Sequence, residues 1–526
     1  MFLSSAKCRN TPWLVFALVF LWKLALLVLS AQPVPSNDAF FYDGAVVHQL
    51  LHGGYFNPTL ALTLPISGTQ VFSAYPPLYQ ALLWLWMSLF GTSALSAMWL
   101  HLVLFGGYAL VVFLILRRIR TPVWCIHLAG CYLLLLTFHD RPDSLAHLLG
   151  MLGVHAWIRS RRRFNDGNDA PHSVAWLWSM VLFMVLTLCT SLQIGAIYFL
   201  WIWAGMITTT LAGGEKFPML PMAMTLALPM VLLSTVKFAF PHLWAGFLEH
   251  ARQTPSLTGW RLPAIGDLLK VARATPGICL IAVFLPWSWF KQHNDVKDAE
   301  YARQEYLLVP ALVGAFGVVA ACLFVLTPNT VAIANYLQPV IVASHLAFCA
   351  KIFSGRRWLH CQVICLSLAA LVGSARAIGM STWGLICAAD VSYASATHRV
   401  EAELANLPPG SEVVLSSPYL YDASKHGNLT LIHSDWMARA WAKTPVSDLQ
   451  ALEALKPSRI ILTQFDFYRR YQPVLEELEK QPGLCEVRIT DTARIRPPDA
   501  YPPLRRVIQH VSWAPVIVDL NWQNQP

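Results

Sequence analysis

Long apolar runs separated by short polar connectors occupy most of this 526-residue chain. A bilayer-spanning helix needs about 20 mostly apolar residues, and somewhat fewer where its ends snorkel. Runs of that kind lie near 12–31, 94–117, 122–138, 144–158, 174–190, 192–211, 217–238, 276–290, 306–326, 331–352 and 358–379. They predict about eleven transmembrane helices. The first, behind Lys7 and Arg9, is too long for the apolar part of a cleaved signal and reads as a span. Residues 78–90 are apolar and rich in Trp but short before Gly91, which predicts a juxtamembrane helix.

The pattern changes after the last run. Pro408-Pro409-Gly410 leads into strand-like residues 412–417, with further β patterns at 429–433 and 459–463 and helical patterns at 447–455 and 468–480. The expected fold is therefore an all-α polytopic membrane domain over 1–385, with a first external loop at 32–78, and a small C-terminal α/β soluble domain over 390–526. No glycine-rich phosphate loop follows any of these strands, so the pattern gives the tail no chemistry of its own.

Charge orients the spans. The basic clusters at 117–120, 159–163, 216, 291–303 and 351–357 all fall on the cytoplasmic side if the N-terminus does. Loops 32–78, 139–143, 240–275 and 327–330 then face outward together with the tail, as expected of a bacterial inner (plasma) membrane protein with a periplasmic or extracellular C-terminal domain. The net charge of +9 comes from these anchors, which argues against a nucleic-acid partner. With 56% hydrophobic and 13% charged residues, the chain carries about half the charge of a soluble domain. Its 11 cysteines form no CxxC pair and no Cys/His metal spacing.

Carboxylates avoid the apolar runs and gather in the outward loops, chiefly Asp38, Asp43, Asp140, Asp143, Glu249 and Asp267. That distribution suits an enzyme working at the interface better than a transporter with mid-span charges. Each acid also has a local explanation. Asp38 opens a helical pattern, where free amides favour an acid. Asp143 follows Pro142 at a helix start, with Arg141 beside it as an ion-pair partner. Asp43, five residues past Asp38, turns away from the same helical face, which suggests a structural role. Arg252, Arg261, Lys270 and Arg273 lie in an outward loop against the usual bias, as a site for a lipid phosphate or simple head-group contact would require.

These loops resemble those of the GT-C membrane glycosyltransferases, most closely the protein O-mannosyltransferases and the bacterial lipid A aminoarabinose transferases. Asp38-Ala39-Phe40-Phe41-Tyr42-Asp43-Gly44 and the Gly53-Gly54 turn resemble the family's first loop. Tyr75-Pro76-Pro77-Leu78, Phe90-Gly91, His139-Asp140-Arg141-Pro142-Asp143 and Asn335-Tyr336-Leu337-Gln338-Pro339 follow in the family's order. The aminoarabinose transferases carry Glu-Lys where this chain has Ala74-Tyr75, so a metal role of that glutamate does not transfer.

The resemblance implies a GT-C-like domain that moves a sugar from a polyprenyl-phosphate donor to a glycan, lipid or protein acceptor on the external face, with inversion. It implies Asp38 and Asp143 as catalytic residues, Asp38 as general base, with Tyr42, Asp43, Tyr75, Arg141, Arg252, Arg261 and Arg273 binding substrate. No cofactor is required with certainty, and a divalent metal ion is compatible with the scheme. The alternative is a lipid-linked sugar transporter or flippase whose loops only recognise head groups.

Overall fold

The computed structural model describes residues 11–35, 39–55, 57, 59, 76–118, 123–135, 141–163, 170–213, 218–241, 244–245, 357–434, 447–481, 483–496 and 501–523. The expected spans at 276–290, 306–326 and 331–352, the outward loop with Arg252, Arg261 and Arg273, and the Asn335 to Pro339 motif lie outside these residues.

The membrane part contains α1 (Thr11–Ser30), the short α2 (Ala39–Tyr42) and α3 (Gly44–His52), α4 (Leu78–Phe90), α5 (Ala94–Arg118), α6 (Val123–Leu135), α7 (Asp143–Arg163), α8 (Ala170–Leu188), α9 (Leu192–Gly213), α10 (Met219–Ala239) and α11 (Arg357–Asp390). Among the described residues, α1, α5 and α10 are long and apolar enough to cross a bilayer. α5 is the central one, buried along most of its length, whereas α10 turns Met230, Val231 and Phe238 outward. The 13-residue α4 buries Tyr79, Leu83 and Met87 on one face and exposes Trp84, Leu85 and Phe90 on the other.

Close helix approaches explain two glycines. A Cβ on Gly150 of α7 would collide with the ring of Tyr198 on α9, and one on Gly205 of α9 would collide with Trp157 of α7. Small residues at such crossings let backbones approach where no hydrophobic drive brings helices together.

α11 is longer than its apolar run. Its apolar run fades near residue 379, but the helix continues to Asp390. Within its polar end Ser381 and Thr382 return their hydroxyls to the carbonyls of Ala377 and Ile378. Gly384 lets the Gln32 side chain pack against the helix.

Beyond α11, α12 (Tyr393–Ala405) leads to a five-stranded mixed sheet. Its strands are β1 (Glu412–Leu415), β2 (Thr430–His433), β3 (Arg459–Thr463), β4 (Cys485–Asp491) and β5 (Pro515–Trp522), in the order β2-β1-β3-β5-β4. β1 pairs in parallel with β2 and β3, and β5 pairs antiparallel with β3 and β4. α13 (Leu420–Ala423) follows β1, α14 (Asp448–Leu455) precedes β3, α15 (Gln472–Glu479) precedes β4, and α16 (Pro502–Val511) precedes β5. α14 starts on a reciprocal capping box between Ser447 and Gln450.

Strand periodicity splits the core in two. Val413, Leu415 and Ile461 join the core that runs on into the membrane helices, while Val414, Ile460 and Leu462 pack against Leu452, Leu475 and Leu478. One face of the sheet therefore belongs to the same core as the helices, and this joins the domain to the first loop.

Candidate active site at the domain junction

Asp43 sits between α2 and α3, fully buried, and its backbone carbonyl accepts the amide of Val47. Its carboxylate makes no side-chain cap on α3. It accepts instead from two phenols: Tyr79 on α4, 3.1 Å from Oδ1, and Tyr421 on α13, 2.6 Å from Oδ2. Tyr79 Oη also lies 3.1 Å from Nε2 of His101 on α5, and His101 Nδ1 lies 3.2 Å from Oγ of Ser144 on α7.

The hydrogen positions follow from donor capacity. With the Tyr79 proton given to Asp43, Tyr79 can only accept from His101, so Nε2 carries the imidazole proton and Nδ1 accepts from Ser144. One chain of hydrogen bonds thus runs Ser144, His101, Tyr79, Asp43, all buried.

Ser144 begins at the acid of the second loop. Asp143 opens α7, where the helix amides favour a negative charge. Arg141 donates from Nε to Asp143 Oδ2 at 2.8 Å, and its guanidinium stands 5.7 Å from the centre of the Tyr42 ring. Tyr42, Asp43, Arg141 and Asp143, all singled out in the sequence, are thereby brought into one connected group. The Asp43 carboxylate ties the α2–α3 turn to α4 and α13. Asp38 and Tyr75 lie outside the described residues.

The C-terminal domain closes over this group. Trp513 donates from Nε1 to the Ser30 carbonyl at 3.0 Å, and Gln32 donates from Nε2 to the Val511 carbonyl at 2.8 Å. His52 Nε2 lies 2.6 Å from the Ser424 carbonyl, and the His433 ring meets Phe40 edge-on at 4.2 Å. Beside the junction, burial raises the carboxyl pKa of Asp422 above its ordinary value, against the opposing pull of Lys425 at 3.0 Å.

Tyr79, His101, Ser144 and Tyr421 escaped the sequence reading. Tyr79 and Ser144 each stand one position past a motif, His101 is a single polar residue in an apolar helix, and Tyr421 comes from the tail. Among the described residues, no three His, Cys, Asp or Glu side chains converge to hold a metal ion.

No family model and no curated protein matches this chain. Solved structures do. ArnT from Cupriavidus metallidurans in the apo state superposes with a TM-score of 0.53 at 13% identity, covering 97% of this chain and 98% of that one. The same protein bound to undecaprenyl phosphate gives the same values. The archaeal oligosaccharyltransferase AglB from Archaeoglobus fulgidus, in complex with an inhibitory peptide and a dolichol-phosphate, gives 0.50 at 12% identity, over 88% of this chain and 70% of that one. The chain has the GT-C fold of these membrane glycosyltransferases over nearly its whole length.

Proposed function

We propose that this protein is an integral-membrane glycosyltransferase that moves a sugar from a polyprenyl-phosphate donor to an acceptor hydroxyl on the external face of the membrane. The observation that carries the reading is the Tyr42, Arg141, Asp143 group, a cation and a carboxylate held at the start of α7 beneath a docked soluble domain. The undecaprenyl phosphate bound to ArnT and the dolichol-phosphate bound to AglB support a prenyl-phosphate lipid as the ligand of this fold.

In the reaction, the acceptor oxygen attacks the anomeric carbon while the bond from that carbon to the phosphate oxygen breaks. The electron pair leaves with the prenyl phosphate, and the acceptor proton passes to Asp38 as general base. A single displacement inverts the anomeric centre. Arg141 offsets charge growing on the leaving phosphate, helped by Arg252, Arg261 or Arg273, while Asp143 fixes the guanidinium through its Nε. Tyr42 and Tyr75 are assigned to donor binding. Positive-inside charge supports a cytoplasmic N-terminus and an outward C-terminal domain.

The test compares surface glycans, by mass spectrometry, of cells lacking the protein, cells restored with it, and cells restored with Asp38→Asn. The expected result is a sugar missing from the first and third and present in the second. Full restoration by Asp38→Asn defeats the general-base role, and unchanged glycans on deletion defeat the transferase reading. A flippase instead alters donor movement across vesicles with no transfer in detergent.

A further inference from the structure

The helix α16 packs along α11 through Ile508 and Val511, which are buried against Cys387, with Trp383 and Leu504 at the margin. Its Arg506 and His510, four residues apart, share one helix face. The His510 ring stacks on Phe465 with centroids 3.9 Å apart, and the Arg469 guanidinium stands 5.1 Å from the centre of that same Phe465 ring. Arg376, on α11 itself, is close enough that its charge joins those of Arg469 and Arg506 in opposing protonation of His510.

The three arginines are exposed, the His510 ring is covered on one side by Phe465, and among the described residues none of the four forms an ion pair. The neighbouring acids are engaged elsewhere: Asp466 accepts from Ser416 and Thr463, Asp491 from Tyr468, and Asp390 from the amides of Arg494 and Ile495. Arg505, over the Tyr468 ring, adds a further positive charge nearby. Like charges gathered without an ion-pair partner repel one another, and an anion in contact with them relieves such a cluster.

Its position narrows the anion to one carried by a lipid. Gly384 packs against Gln32, just past the end of α1, and Arg376 precedes it by about 12 Å of helix on the bilayer side at ~1.5 Å per residue. An arginine at that depth is expensive unless its head rises to the head-group level or meets an anion there. On the same helix Ile378 and Ile386 are 43% and 41% exposed, apolar surface on which acyl or prenyl chains can lie.

We propose that Arg376, Arg469, Arg506 and His510 form a binding site for the phosphate of an anionic lipid where α11 leaves the bilayer beneath the C-terminal domain. Guanidinium groups suit it because each offers a planar pair of donors to phosphate oxygens. The phosphate is either that of a bilayer head group or that of a prenyl phosphate. The site shares no residue with the Arg141 group and stands whether or not the transferase reading holds.

The full chain, purified in neutral detergent, is titrated separately with phosphatidylglycerol, phosphatidylcholine and undecaprenyl phosphate, and retained lipid is read by native mass spectrometry. Phosphatidylglycerol is expected to be kept in preference to phosphatidylcholine, and the pair Arg376→Gln and Arg506→Gln to weaken its retention about thirtyfold. Arg469→Gln, on the surface of the soluble domain, weakens retention about fivefold without touching the helix bundle. Retention of phosphatidylglycerol points to a head-group site, and retention of undecaprenyl phosphate alone points to the prenyl lipid. Equal retention of phosphatidylcholine, or wild-type retention by both the double variant and Arg469→Gln, overturns the proposal.

Discussion

Tyr421 donates its phenolic hydroxyl to Oδ2 of Asp43 across 2.6 Å, joining residues 378 positions apart in the chain. The carboxylate it reaches also takes the Tyr79 hydroxyl, so a phenol from the soluble domain and one from α4 satisfy the same buried acid. Burying a carboxylate is expensive unless its oxygens are bonded, and here each phenol takes one of them.

Tyr421→Phe removes one donor and leaves the acid in place. A hydrogen bond to a charged group contributes about 1.5–3 kcal/mol, and that loss is expected in thermal unfolding of the detergent-solubilised protein. Tyr79→Phe is expected to lose a similar amount and to uncouple His101 as well. In a double-mutant cycle the two substitutions couple by at least about 0.5 kcal/mol, because they share one carboxylate. Strict additivity argues that Asp43 is not their common partner.

Arg141 is held from two sides, by Asp143 at 2.8 Å and by the Tyr42 ring. Removing a preorganised charge from the leaving-group side of a reaction costs about a hundredfold to a thousandfold in kcat. Arg141→Gln is expected to show that loss in transfer from a prenyl-phosphate donor, with little change in KM for the acceptor. Arg141→Lys recovers little, since an ammonium cannot bond Asp143 and present a planar face at once. A variant whose KM rises while kcat holds places Arg141 in ground-state binding.

The crossing of α7 and α9 rests on Gly150, where any Cβ meets the Tyr198 ring. Tyr198 also holds His147 Nδ1 at 3.2 Å through its hydroxyl, so the ring cannot retreat without breaking that bond. Gly150→Ala is expected to destabilise the helix bundle by about 1–3 kcal/mol, the usual range for overpacking. An unfolding midpoint equal to wild type shows that the helices separate freely at this point.

What the sequence disclosed and what it hid follow from range. Arg141 and Asp143 are two residues apart at a helix start, so their pairing is a local matter. β1, β2 and β3 showed as compact β-branched and aliphatic runs. β5 escaped because it begins at Pro515 and carries Asp519 and Asn521, and β4 because its Val487 and Ile489 alternate with charged residues, as an edge strand's do. Asp43 was read as structural from its turn away from Asp38, but its partners come from 36 and 378 residues further on, and no spacing rule reaches that far. His101 is a single polar residue in an apolar helix, and only the three-dimensional meeting of α4, α5 and α7 gives it neighbours.

His510 supplies a pH dependence with a definite sign. Desolvation of the ring comes first, followed by repulsion from Arg469, Arg376 and Arg506, and together they hold its pKa below the ordinary 6.5. Between the folded value and 6.5 the unfolded chain binds more protons than the folded one, so stability rises with pH across that window and is complete above it. Acidification from neutral pH therefore erodes the wild-type protein. His510→Gln, which cannot titrate, escapes this part of the loss, so the unfolding midpoints of the two proteins should converge or cross in favour of the variant as pH falls through 6.5. An anionic lipid seated among the arginines reverses the repulsion and lifts the imidazole back toward its ordinary value, which narrows the acid-sensitive window. A stability difference between wild type and His510→Gln that stays constant from about pH 7.5 to about pH 5, a window that spans the imidazole range, shows that neither burial nor the three arginines shift this ring.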